Sequence, residues 1–145
     1  MTRSSLVLVV LDANVFVSAA IQRGASYRIV ESWLTGAADF KVVMCPTLLD
    51  EIRDVLTTRP RLRKWISLET ATLFVDTIGT LVDLVEDPTE IHTETRDPED
   101  DYLIALARAN DVELIISGDN DLLEWGVQQP PVVTPSQFEQ RFRTA

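Results

Sequence analysis

The chain of 145 residues holds one cysteine, Cys45, and one histidine, His92. A single cysteine excludes an internal disulfide and a thiolate metal cage. A single histidine excludes a histidine-rich zinc site and leaves a Ser-His-Asp triad only one candidate base. No apolar run approaches the roughly 18 residues that read as a membrane span. The apolar run that ends at Asp12 is too short for a secretory signal, so a cytoplasmic protein is expected. Internal repeats, low-complexity segments and linkers are also lacking, which leaves one domain over residues 1–145. Basic residues are few as well: 13 Lys and Arg stand against 23 Asp and Glu, a net charge of −10. A chain so acidic repels phosphate, and on that ground alone a nucleic-acid partner is disfavoured.

The acidity is not spread evenly, and that changes the reading. Residues 83–124 carry 2 basic and 14 acidic groups, more than the whole excess. The flanking segments are nearly neutral. The stretch Arg53–Lys64 holds five basic residues, Arg53, Arg59, Arg61, Arg63 and Lys64. A concentrated acidic window is a solvated face, a protein-docking face or a cation site.

What is present in quantity is hydrophobic pattern. Leu6–Leu11 (LVLVVL) and Lys41–Cys45 (KVVMC) read as strands buried on both faces. Leu81–Val85, Glu113–Ser117 and Val132–Val133 read as three more. Helices are expected over 15–21, 26–35, 46–57 with Pro46 in the first turn, and 68–77 ended by Gly79. A further helix follows Asp97 and Pro98, a short one is capped by Asp121, and a last one starts at Thr134–Pro135. Alternating strands and helices predict an α/β domain with a central, mostly parallel sheet of about five strands. In such sheets the binding crevice lies at the carboxyl ends of the strands.

Acidic residues collect at those ends. Asp12 directly follows the first strand, and Asp119 comes two residues after the fourth. Glu51 and Asp101 lie on helix faces that also carry apolar residues, where a bare charge is expensive. Carboxylates aimed at one crevice repel each other unless a cation neutralises them or one takes up a proton. Oxygen-only ligation suits Mg²⁺ or Mn²⁺, one ion or two. Hydrolysis of a phosphodiester with such ions needs no histidine and no cysteine.

Four segments carry a resemblance. LDANVFVSA (Leu11–Ala19), LLDEIRDVL (Leu48–Leu56), RDPEDDYLIALA (Arg96–Ala107) and ISGDNDLL (Ile116–Leu123) resemble the four blocks of PIN-domain ribonucleases, in order and at matching spacing. The nearest likeness is to VapC-like toxin components of bacterial toxin–antitoxin pairs. The resemblance implies a three-layer α/β/α sandwich with strand order 3-2-1-4-5. It implies a divalent-metal-dependent endoribonuclease, usually a homodimer, with an RNA substrate and a small antitoxin protein as partner. By position, Asp12, Glu51, Asp101 and Asp119 are then the catalytic acids, with Asp12, Asp101 and Asp119 as metal ligands. Asn14, Ser117, Asp121 and Asp100 are supporting residues, and helical register favours Asp101 over the adjacent Asp100.

Each of these has a plainer reading. Asp12 and Asp121 are also good helix caps, and Asp97, Glu99 and Asp100 suit the first turn of a helix through capping and the dipole. The Arg53–Lys64 stretch is either a solvated connection or an RNA-backbone contact. Trp33, Trp65 and Trp125 read as core or dimer contacts. At the level of the whole chain, a catalytically silent domain that docks a basic partner on its acidic face is the alternative. A receiver domain or aspartate phosphatase fits poorly, because Asn14 stands where the phosphatase needs a second aspartate. The receiver lacks its lysine near the last strand, since the only lysines are Lys41 and Lys64.

Overall fold

The computed structural model describes residues 6–143. Its centre is β1, Val7–Leu11, which pairs in parallel with β2, Phe40–Val42, on one side and β3, Leu114–Ile116, on the other. β4, Val132–Val133, extends the sheet in parallel beyond β3. Val9, Val10 and Leu11 are wholly buried, which explains the unbroken apolar run: a central strand of a covered parallel sheet has no polar face.

The helices are α1 (Ala13–Ile21), α2 (Ala25–Leu34), α3 (Pro46–Thr58), α4 (Leu68–Leu81), α5 (Pro98–Ala109), α6 (Asn120–Leu123) and α7 (Pro135–Arg143). A 3₁₀ turn, Pro60–Lys64, follows α3. The α5 helix lies against β1 and β3, while α1 packs on α2 and α3, and α3 packs on α4. Leu103 to Ala107 are all buried, so α5 has almost no solvent face over that turn. No helix among the described residues is long and apolar enough to cross a membrane.

The sheet has four strands in the order β2-β1-β3-β4, and not five. The segment expected as a strand over 81–85 contributes a single parallel bridge, Leu84 to Met44. The reason lies in α4. Gly79 does not end that helix, which runs on to Leu81 and takes the first residue of the expected strand. What is left before the polar 86–96 loop meets the Met44 segment at that one bridge. The bridge still sits outside β2, the edge position that the expected order gave this segment. A second boundary also differs. The short helix α6 is capped by Asp119, whose carboxylate accepts the Asp121 N–H, and not by Asp121.

A carboxylate cluster at the strand ends

Chain direction fixes the site. β1 and β3 are parallel neighbours in register, Leu11 opposite Ile116, so the residues that follow them emerge side by side. Asp12 donates its backbone N–H to the Ile116 carbonyl at 3.0 Å, the last rung before the strands part. Its side chain caps α1 by accepting the Asn14 N–H. Ser117 ends β3. Its hydroxyl donates to Asp12 Oδ2 at 2.7 Å and accepts the Asp119 N–H at 2.9 Å. That one hydroxyl sets the spacing between two acids that come from different strands.

The third acid comes from α5. Asp12, Asp100 and Asp119 each place a carboxylate oxygen within 4.8 Å of the others. Asp12 and Asp100 are buried, at 6% and 3% exposure. Asp100 Oδ2 is buried with no hydrogen-bond partner. Leaving such an oxygen bare costs free energy unless a proton or a cation meets it. The protonation equilibria express that cost. Burial first, then the adjacent Asp119 carboxylate, pushes Asp100 up to about 8. Burial also raises Asp12, against the pull of the Ser117 hydroxyl and the Asn14 N–H. Glu51, half-buried on α3, is pushed up to about 7 by burial and then by the Glu99 and Asp12 charges.

These groups line a cleft of about 330 Å³. Glu51, Asn14, Glu99, Arg59 and Arg61 line it too. The two helices that bring Glu51 and Asp100 together are tied below the cleft. The Cys45 Sγ, buried at the start of α3, contacts the Tyr102 hydroxyl of α5. Asp87 joins both, accepting from Tyr102 at 3.3 Å and from the Thr47 N–H and hydroxyl at 3.0 and 2.8 Å.

The structure does not place Asp101 in the cluster. Its Oδ1 turns back to the loop before α5 and accepts the Glu94 N–H, the Thr95 N–H and the Thr95 hydroxyl at 3.0, 2.8 and 2.9 Å. It therefore staples the loop that leads into the helix. Helical register does not separate the two acids, because Asp100 and Asp101 are both buried on a helix apolar nearly all round. Asp121 is also outside the cleft, with its Oδ1 accepting from Arg96 at 2.7 Å. Asp97 caps α5 by accepting the Glu99 N–H. Glu99, read as a helix-dipole residue, faces the cleft, and no sequence signal separated it from its neighbours.

Of the basic stretch, only Arg59 and Arg61 reach the cleft. Arg53 pairs with Asp76 at 2.9 Å. Arg63 donates to the Leu56 carbonyl near the end of α3, and Lys64 sits 4.6 Å over the Trp65 ring. Trp33 packs edge-on against Phe16, and Trp125 is buried under the Arg108 guanidinium. Trp65 is exposed, and His92 is exposed in the loop.

A parallel α/β domain with a buried, oxygen-only acid cluster at the carboxyl ends of its strands is the class this geometry defines. The chain belongs to the PIN domain family: the family's sequence model matches residues 8–121. Among solved structures, PAE2754 from Pyrobaculum aerophilum superposes with a TM-score of 0.63 at 13% identity, over 97% of this chain and 91% of that one. VapBC2 from Rickettsia felis, in a structure bound to a DNA fragment from its promoter, gives 0.56 at 10% identity, over 88% and 96%. At those identities the likeness is one of fold. No curated protein sequence matches the chain.

Proposed function

We propose that the protein is a divalent-metal-dependent endoribonuclease that hydrolyses RNA phosphodiester bonds, and that it is the toxin of a type II toxin–antitoxin pair. The observation that carries the hydrolase reading is the Asp100 carboxylate, which has a bare buried Oδ2 and places an oxygen within 4.8 Å of carboxylate oxygens of Asp12 and Asp119. Three acids so placed fit one or two Mg²⁺ or Mn²⁺ ions, which favour carboxylate oxygen. Asp12, Asp100 and Asp119 would hold the ion; Asp100 takes the ligand role that helical register gave to Asp101. When bound, such an ion supplies Lewis acidity toward a phosphate oxygen and toward water.

The chain's own groups do the rest. Ser117 holds Asp12 and the start of α6 at fixed separation. Glu51, with its carboxyl balanced near neutrality, is suited to taking a proton from water at the cleft wall. Asn14 stands exposed at the cleft mouth, in reach of an incoming strand. The toxin reading, with a small antitoxin as partner, a homodimeric state and a cytoplasmic setting, is supported by family membership and by the likeness to the Rickettsia felis protein.

Cleavage of structured RNAs in Mg²⁺, Mn²⁺ or EDTA tests the first part, with Asp12→Asn beside the wild type. Cleavage that needs the metal and is lost in the variant is expected. Undiminished cleavage in EDTA, or by Asp12→Asn, sinks the assignment. Growth arrest on expression, relieved by co-expression of a neighbouring small reading frame, tests the second part.

A further inference from the structure

Arg59 and Arg61 line the acidic cleft, and neither side chain has a hydrogen-bond or ion-pair partner among the described residues. Seven acidic residues line the same cleft. An exposed arginine beside that many carboxylates would ordinarily fold onto one of them. The backbone keeps these two apart. Arg59 ends α3 in extended conformation, Pro60 opens the 3₁₀ turn, Leu62 is buried beneath it, and Arg63 reaches back to the Leu56 carbonyl. Arg59–Pro60–Arg61 is therefore a fixed ledge with two unengaged guanidinium groups. Arg59 also stands eight residues beyond Glu51, just past the end of the same helix, roughly 12 Å along its axis at 1.5 Å per residue. Along the axis of α3 the ledge is thus set off from the level of Glu51.

Resting on the RNA-hydrolase reading, we propose that Arg59 and Arg61 hold phosphates flanking the one to be cut. The substrate class is then a strand with consecutive phosphodiesters, gripped by its backbone and not by its bases. A guanidinium matches phosphate oxygens with a planar pair of donors. A contact that holds ground state and transition state alike raises KM when it is lost and leaves kcat unchanged, and that is the signature of a grip on flanking phosphates. The ledge also accounts for nucleic-acid binding by a protein with a net charge of −10: the attraction is local, and two residues supply it.

The test is the salt dependence of binding. Fluorescein-labelled octauridylate is titrated with the wild type and with an Arg59→Ala/Arg61→Ala double variant in Ca²⁺, over a range of salt, with intactness checked on a gel. Each single-strand phosphate contact contributes about 0.7 to the slope of log K against log salt, so the double variant should lose about 1.4. An Arg59→Lys/Arg61→Lys variant should restore most of it. In Mg²⁺ or Mn²⁺, KM for the octamer should rise on the order of tenfold at unchanged kcat. A dinucleotide, which has one phosphodiester, should be cut equally by both proteins. An unchanged slope, a fall in kcat, or an equal loss on the dinucleotide overturns the clamp. If the wild type cuts no RNA with either metal, the hydrolase reading fails by itself, and the slope comparison still decides whether the ledge grips phosphate.

Discussion

The Ser117 hydroxyl donates to Asp12 Oδ2 at 2.7 Å while it accepts the Asp119 N–H at 2.9 Å. Since its lone pair is engaged by the amide, its one proton is free to point at Asp12. A serine at the end of one strand thus orients the acid at the end of the next. Ser117→Ala should leave a buried amide and a buried carboxylate each short of a partner, at a cost of about 1–3 kcal/mol. Mn²⁺ affinity should fall about 10–100-fold, as for other residues that orient a ligand without touching the ion. Urea unfolding in EDTA and calorimetric titration of Mn²⁺ read the two effects separately. Unchanged Mn²⁺ affinity with lowered stability would reduce Ser117 to a packing residue.

Asp100 and Asp101 are adjacent, but one joins the acid cluster and the other binds the loop before α5, so their variants should part company. Asp100→Asn removes a buried carboxyl whose Oδ2 has no partner in the metal-free fold and whose ionisation burial opposes. Metal-free stability should hold or rise, and metal-dependent cleavage should fall by a factor of 100 or more. Asp101→Ala strands the Glu94 and Thr95 amides, while the Thr95 hydroxyl keeps the Asp97 carbonyl, and should lower stability by about 2 kcal/mol. Its cleavage rate below the unfolding temperature should stay within a few fold of the wild type. The reverse pattern would return the ligand role to Asp101.

That pair also marks how far the sequence could be read. Asp12 and Asp119 were legible because each follows a short apolar run, and a parallel strand's carboxyl end is a place fixed by chain direction. Glu51 was legible as an acid beside a buried stripe. On α5 the same logic had nothing to hold, since Leu103 to Ala107 are buried on every side and helical spacing cannot choose between two acids in the first turn. The choice is made by the Glu94 and Thr95 amides, in a loop whose path no pattern encodes. The basic stretch failed for a like reason. Composition showed five cations, but partners elsewhere, Asp76, the Leu56 carbonyl and the Trp65 ring, decide which two remain at the cleft. The edge strand was lost to the extra turn of α4, which a glycine was expected to prevent.

The raised carboxyls give stability a pH dependence of definite sign. Burial raises Asp12 and, with neighbouring charge, sets Glu51 to about 7 and Asp100 to about 8, all above their ordinary values. In that condition the folded protein binds more protons than the unfolded chain, so stability falls as pH rises. The contribution is fully present below the unfolded values near 4 and is lost through about pH 7 to 8. In EDTA, Tm should therefore decline between pH 5.5 and pH 9 (values bracketing these shifts). Asp100→Asn should flatten that decline. Mn²⁺ should oppose it most at the alkaline end, where no proton competes for the acids. A Tm in EDTA that climbs over the same interval would contradict the burial of these charges.

Gly79 offers a test of the helix that displaced the strand. It lies inside α4, its φ is outside the left-handed region, and an added Cβ would meet only Leu49 Cδ2, at 3.5 Å, an ordinary contact. Nothing there requires glycine. Alanine loses less backbone entropy on folding into a helix, so Gly79→Ala should raise stability by about 0.5–1 kcal/mol. The opposite follows if residue 79 ends the helix and turns the chain into an edge strand: alanine would then favour the wrong conformation and stability would fall. Urea midpoints of the two proteins decide between these outcomes. Cleavage is the control, because α4 packs on α3 and supplies no residue to the cleft, so the rate should not move.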